Sequence, residues 1–183
     1  MSETTRFSKT TGSFYPFSEN YPELPSDVIE VPIEDFQSAV LAMARGDTLD
    51  VIDGRIVVIP KPAATKAEMQ AATWHSIKGE RDRRKAGGVK VGAKWFHSDD
   101  SSRIQQMGLV MMGASIPANL QWKTMDGSFI TMTQALATSV FAAAAASDQA
   151  IFAVAEGHKT AMEASADPST YDFSTGWPKI YGE

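Results

Sequence analysis

Apolar and polar positions change their period several times along this chain, and each change marks an element. Phe7, Phe14, Tyr15 and Phe17 flank Thr11-Gly12-Ser13, which reads as extended chain around a tight turn. Tyr21-Pro22 and Leu24-Pro25 are rigid and non-helical. Asp27 to Val31 reads as a short strand that Pro32 ends. From Ile33 to Arg45, Ile33, Phe36, Val40, Leu41 and Ala44 recur on one helical face, and Gly46 stands where a C-cap glycine belongs. In "DTLDVIDGRIVVIPKP", Asp53-Gly54 separates two apolar runs, the strongest short hairpin signal in a sequence. Pro60 and Pro62 stop the second run, and a domain boundary is expected near residue 62.

Beyond it the period becomes helical over Lys66 to Ala86, where Met69, Ala72, Thr73, Ser76 and Ile77 lie together. Gly87-Gly88 closes this helix after a run of charges. Val89-Lys90-Val91 and Lys94 to His97 flank Gly92-Ala93, and glycine in the first turn position predicts a type II′ hairpin. A helix over about Asp99 to Met112 follows, with Ile104, Met107, Val110 and Met111 expected inward. The layout then repeats. Gln121 to Thr124, a Met125-Asp126-Gly127 turn and Ser128 to Thr131 form a second hairpin. It leads into a long helix over Thr133 to Ala164 with five consecutive alanines, Ala142 to Ala146. That helix either lies along its own hairpins or offers a face to another chain. Gly157 inside it costs ~1 kcal/mol relative to alanine, which implies a close contact or a bend. The expected class is α+β. A small β-rich N-terminal lobe with one short helix occupies 1–62. A C-terminal domain of two β-hairpins, each followed by a helix, occupies 63–166. An aromatic and proline-rich tail, 167–183, docks or swings.

Composition narrows the function. Of 183 residues 43% are hydrophobic, enough for a core, and the formal charge of −5 argues against a global grip on nucleic acid. The basic run Lys78, Arg81, Arg83, Arg84, Lys85 is interleaved with Glu80 and Asp82 and reads as a solvated helix face, with a dock for an acidic partner as the alternative. There is no cysteine, so disulfides and thiolate metal sites are excluded. The polar opening "MSETTRFSKTTGSF" lacks the apolar core of a signal peptide, and no apolar run reaches the ~20 residues that span a bilayer. The expectation is a soluble protein that engages neither membrane nor nucleic acid.

One stretch concentrates chemistry: "WFHSDDSSRIQQ", residues 95–106. A helix start leaves four backbone N–H groups without partners. Serine or aspartate at the N-cap satisfies one, at ~1 kcal/mol, and acids in the first turn complement the helix dipole. Ser98, Asp99, Asp100 and Ser101 therefore have a structural reason to be there. Thr131 and Gln134 stand in the spacing of a capping box before the second helix. A metal reading needs ligands beside His97, and neither His75 nor His158 has a partner at zincin spacing. "GGVKVGAK" departs from a phosphate loop, because Ala93 splits Gly92 from Lys94 and a strand follows. No Gly-x-Ser-x-Gly occurs. No catalytic, cofactor-binding or metal-ligating residue is assigned and no enzyme is expected. A metal-dependent hydrolase built on His97 and Asp99 is the remaining catalytic reading.

"FSKTTGSFYP", "YPELPSDVIEV", "DTLDVIDGRIVVIPKP", "GVKVGAKWFHSDDSSRIQQMGLVMMGASIPANLQWKTMDGSFITMT" and "AIFAVAEGHKTAMEASADPSTYDFSTGWPKIY" together resemble tailed-phage and prophage tail fibre assembly proteins. From about residue 75 onward the chain is similar to a phage domain of unassigned function. "KWFHSD" and "WKTMDG" are the more specific parts. The resemblance implies a chaperone that binds a trimeric tail fibre protein in the host cytoplasm and helps it fold and trimerise. Some such proteins remain on the virion tail, which makes a structural subunit at the fibre or tail tip, in contact with receptor, the alternative. No catalytic residue and no cofactor comes with the resemblance.

Overall fold

The computed structural model describes residues 4–183; Met1 to Glu3 lie outside the description. The chain forms two compact units, one ending at Ala63 and the other running from Ala64 to Glu183. The architecture is α+β, with several small sheets and a long C-terminal helix.

In the first unit β1 (Thr4–Ser8) is the central strand of a three-stranded antiparallel sheet, between β2 (Ser13–Tyr15) and β3 (Val28–Pro32). α1 (Ile33–Arg45) follows without a break and ends at Gly46, whose φ is 88°. β4 (Thr48–Ile52) and β5 (Arg55–Ile59) pair antiparallel. Asp53 and Gly54 take φ of 50° and 71°, the positive pair that a type I′ turn requires. α1 turns inward a different face from the one its large residues suggest. Ala39 and Ala42 are its buried residues, while Val40 and Leu41 are 43% and 63% exposed. Small side chains let the helix lie close on the strands, and they win the inner face over bulk.

The second unit is organised on one spine, α4 (Gln134–Ala164), about 46 Å long at 1.5 Å per residue. α2 (Lys66–Lys85) packs antiparallel on its C-terminal half: Gln70 donates to the Glu163 carbonyl, while Arg81 and Lys85 lie over Phe152. α3 (Asp100–Met112) packs antiparallel on its N-terminal half, so the chain passes from one helix to the other near the middle of α4. The hairpin β6 (Val89–Val91) and β7 (Lys94–Phe96) makes that passage. Gly92 has φ of 60° while Ala93 stays at negative φ, as type II′ demands. The second hairpin, β8 (Gln121–Lys123) and β9 (Phe129–Thr131), precedes α4. One apolar core joins Val89, Phe96, Leu109, Met132, Ala137, Val140 and Ala144. A second joins Ile77, Ala155 and Met162.

The tail docks. Residues 168–183 wrap the second core, with Pro168 and Ile180 buried and Tyr171, Phe173 and Trp177 packed on Ile77, Ala155 and Met162. His158 clamps the segment through Tyr171 Oη and the Thr175 carbonyl, both at 2.9 Å. Arg84 is 8% exposed and donates to the Pro178 carbonyl and to Glu183. The basic run on α2 is therefore not a wholly solvated face: Arg84 is turned inward to hold the chain end. At Gly157 an added Cβ would meet nothing within 4 Å and the helix is continuous, so the expected close contact is absent.

Candidate functional site: a groove between helix and hairpin

The chemistry-bearing stretch is a junction. Phe96 is fully buried, and the His97 carbonyl accepts from Gln106 Nε2 at 2.7 Å. Ser98 Oγ, 1% exposed, accepts from the Gly88 N–H and donates to the Lys85 carbonyl, which stitches the hairpin to the end of α2. Asp99 is the N-cap of α3. Its carboxylate accepts from the Ser101 and Ser102 hydroxyls and the Ser102 N–H, and these bonds hold its carboxyl well below the usual range. Asp100 is exposed in the first turn. Asp99 is thus taken up by backbone and hydroxyl partners, whereas of His97 only the carbonyl is bonded and the residue borders the cleft between α3 and β8. Among the described residues no group of three His, Cys, Asp or Glu is placed to hold a metal ion. His75 is exposed on α2, and His158 belongs to the tail clamp.

Replacing Asp99 by alanine is expected to cost about 1 kcal/mol in urea unfolding, the usual value of an N-cap. A carboxyl depressed by folding stabilises above its unfolded pKa of ~4, and that contribution fades as pH falls below it. The gap between wild type and Asp99→Ala should therefore close in acid. A gap that holds constant down to pH ~2 would contradict the cap's charge as its source.

The second cap is not the predicted one. Thr133 caps α4 by accepting from the Leu136 N–H, whereas Thr131 belongs to β9 and bonds Gln121. α2 begins with a complete Thr65–Glu68 capping box.

The inner face of α3 also differs from expectation. Gln106 and Leu109 are buried and Val110 packs on the core as expected, while Ile104, Met107 and Met111 are 66%, 46% and 80% exposed. Arg103 decides this rotation. It donates to both oxygens of Asp148 on α4 at 2.6 and 2.8 Å, and to the carbonyls of Ser98 and Lys85. The available signal was complementary. Arg103 is the last charge before Lys123, and Asp148 is the one charge in α4 before Glu156.

The two hairpins lock together at the opposite end. Lys94 Nζ donates to Asp126 and to Ser128 Oγ, each at 2.7 Å, and the Met125 N–H donates to the Trp95 carbonyl. The Lys94 ammonium, with the Ser128 and Thr124 hydroxyls, holds the Asp126 carboxyl well below its usual range.

This leaves a cleft of about 750 Å³ between α3 and β8, bounded by His97, Ser102, Leu109, Met112, Leu120 and Trp122 among others. Its β8 side is an open strand edge. The Met132 N–H bonds the Leu120 carbonyl and the Thr124 N–H bonds that of Ser128, so the alternating ladder pairs Trp122 with Ile130. Gln121 and Lys123 then turn their backbone groups away from β9, and among the described residues no third strand joins that edge. Apolar floor and unpaired backbone lie side by side.

By length and composition α4 is apolar enough to cross a membrane, contrary to the expectation that no apolar run of that length occurs. Six of its 31 residues are buried.

No curated protein and no solved structure matches the chain. A family model matches residues 68–175, which span α2, both hairpins, α3, α4 and the first half of the docked tail. With more than half of its length matched, the chain belongs to the family described as domain of unknown function (DUF4376).

Proposed function

We propose that this chain is a tail fibre assembly chaperone of tailed phages, and that the cleft beside β8 receives an extended apolar segment of the fibre protein. The observation that carries this reading is the pairing of an apolar floor with an open strand edge. A ligand that suits both must bring apolar side chains and backbone hydrogen-bonding groups together, as an extended peptide does in strand addition. A fibre chain that has not yet trimerised exposes such strands, and covering them suppresses aggregation. The segments that resemble fibre assembly proteins most specifically, residues 94–99 and 122–127, supply His97, Trp122 and Lys123 to this cleft.

Co-expression with a trimeric tail fibre protein tests the proposal. The chain should raise the yield of soluble trimeric fibre several-fold. Gly108 lines the cleft, and a Cβ there would meet nothing within 4 Å. Gly108→Phe should therefore fill the cleft, leave melting intact and remove the gain. An unchanged fibre yield with and without the chain would sink the reading. A chain that instead stays in purified particles at fixed stoichiometry would be a structural subunit.

A further inference from the structure

We infer that the cleft selects for a carboxylate: the extended segment it receives carries an aspartate or glutamate at the His97 and Lys123 end and apolar side chains toward Met112. This rests on the reading of the cleft as a strand-addition site, and it adds what the guest must carry.

The two walls fix the two ends. The Met125 N–H donates to the Trp95 carbonyl, so β8 finishes beside β7 and brings Lys123 to the side of His97 and the start of α3. The Met132 N–H donates to the Leu120 carbonyl, and Gly113 at the end of α3 lies against the Gln134 side chain. Leu120 therefore stands near Met112, and β8 runs antiparallel to α3. Along α3 the lining runs from Ser102 to Met112, about 15 Å at 1.5 Å per residue. That length takes four or five residues of extended chain at ~3.3 Å each.

Chemistry differs between the ends. Leu109, Met112 and Leu120 make one end apolar, and no charged residue occurs from Ile104 to Trp122. The other end gathers the Lys123 ammonium, the Gln105 amide and the His97 ring, which offers one N–H in either neutral tautomer. None of these three side chains has a partner among the described residues. No aspartate or glutamate lines the cleft. Asp99 faces the positive end of α3 and its serines, and Asp126 is held by Lys94. N–H donors around a place without an anionic acceptor are complementary to a carboxylate. An alkyl carboxylate would suit both ends too, but it has nothing to offer the unpaired backbone of Gln121 and Lys123. Antiparallel pairing, the more stable kind, runs the guest from Lys123 toward Leu120, so its acid precedes its apolar residues.

The test uses the purified full chain and an acetylated peptide, ETVTV, with an uncharged dye at its C-terminal end, followed by fluorescence anisotropy. Its first, third and fifth side chains share one face. The peptide should bind about tenfold more tightly than QTVTV at low salt, the usual worth of a hydrogen bond to a charged group. The gap should narrow in about 0.5 M NaCl, which screens the charge and not the apolar contacts. Lys123→Glu, at an exposed position, should erase the preference with unchanged circular dichroism. Lys90→Glu makes the same charge change on the exposed first hairpin, outside the cleft, and should keep it. Gly108→Phe should weaken both peptides alike. Decanoate should not displace ETVTV. No binding of ETVTV, equal binding of the two peptides, a preference that survives Lys123→Glu, or displacement by decanoate would each overturn the inference. A peptide preference without any gain in fibre yield would uphold it and remove the fibre reading, whereas a fibre gain with equal peptide binding would do the reverse.

Discussion

A chain shortened to end at residue 166 is expected to lose the cooperative unfolding of its C-terminal unit. Residues 168–183 bury Pro168 and Ile180 and lay Tyr171, Phe173 and Trp177 over Ile77, Ala155 and Met162. Fully burying one large apolar side chain stabilises by ~1.5–3 kcal/mol. Several such contributions lost together approach the ~5–15 kcal/mol that holds a whole domain. Polar losses add to this. Thr73 donates to the Pro168 carbonyl in a buried bond, and Arg84 loses the Pro178 carbonyl and Glu183. Gly87 shows how closely the end is fitted, because a Cβ there would stand 2.6 Å from the Ile180 side chain. Trp177→Ala offers a milder version, at about 3 kcal/mol, since the ring is only partly buried. Calorimetry or urea unfolding followed by circular dichroism decides. A shortened chain that melts like the full one would show that the tail merely rests on the surface.

Replacing Arg103 by alanine should cost about 2–3 kcal/mol, more than any surface charge in the chain, because it strands a partly buried carboxylate and two carbonyls. Arg103 and Asp148 are 21% and 26% exposed, so water recovers part of the loss and the upper end for buried pairs is not reached. Lysine should not rescue it, since a single ammonium cannot serve a bidentate carboxylate and two carbonyls at once. The double variant Arg103→Met with Asp148→Leu should lose less than the sum of the singles, because neither leaves a charge behind. A loss under 0.5 kcal/mol for Arg103→Ala would place the pair among exposed ion pairs of little worth.

The legible parts of this protein were the local ones. Asp53-Gly54 and Gly92-Ala93 specify their turns through backbone sterics that need no distant partner, and both hairpins stand where those dipeptides place them. Helix ends follow capping, as at Asp99 and Gly46. The repeated hairpin and helix, with a long alanine-rich last helix, was legible for the same reason. Faces were harder. In α1 and α3 several large apolar residues point outward, since hydrophobic spacing reveals a stripe but not which side of it meets the core. The cleft was not legible at all. Gly108 on α3 and Leu120 and Trp122 at β8 come from two segments that only packing brings together, and nothing in their order marks an open strand edge.

By itself, the sequence determined most of the elements, their hairpin turns, the caps at Gly46 and Asp99, and the junction character of residues 95–106, because each rests on contacts within a few residues. Tertiary structure alone decided that the tail is core, that Arg103 and Asp148 join α3 to α4, and that Ile104, Met107 and Met111 are left bare. Those outcomes depend on which of several available surfaces fits another most closely. That choice is made by the whole fold, through packing and the need to satisfy every buried polar group.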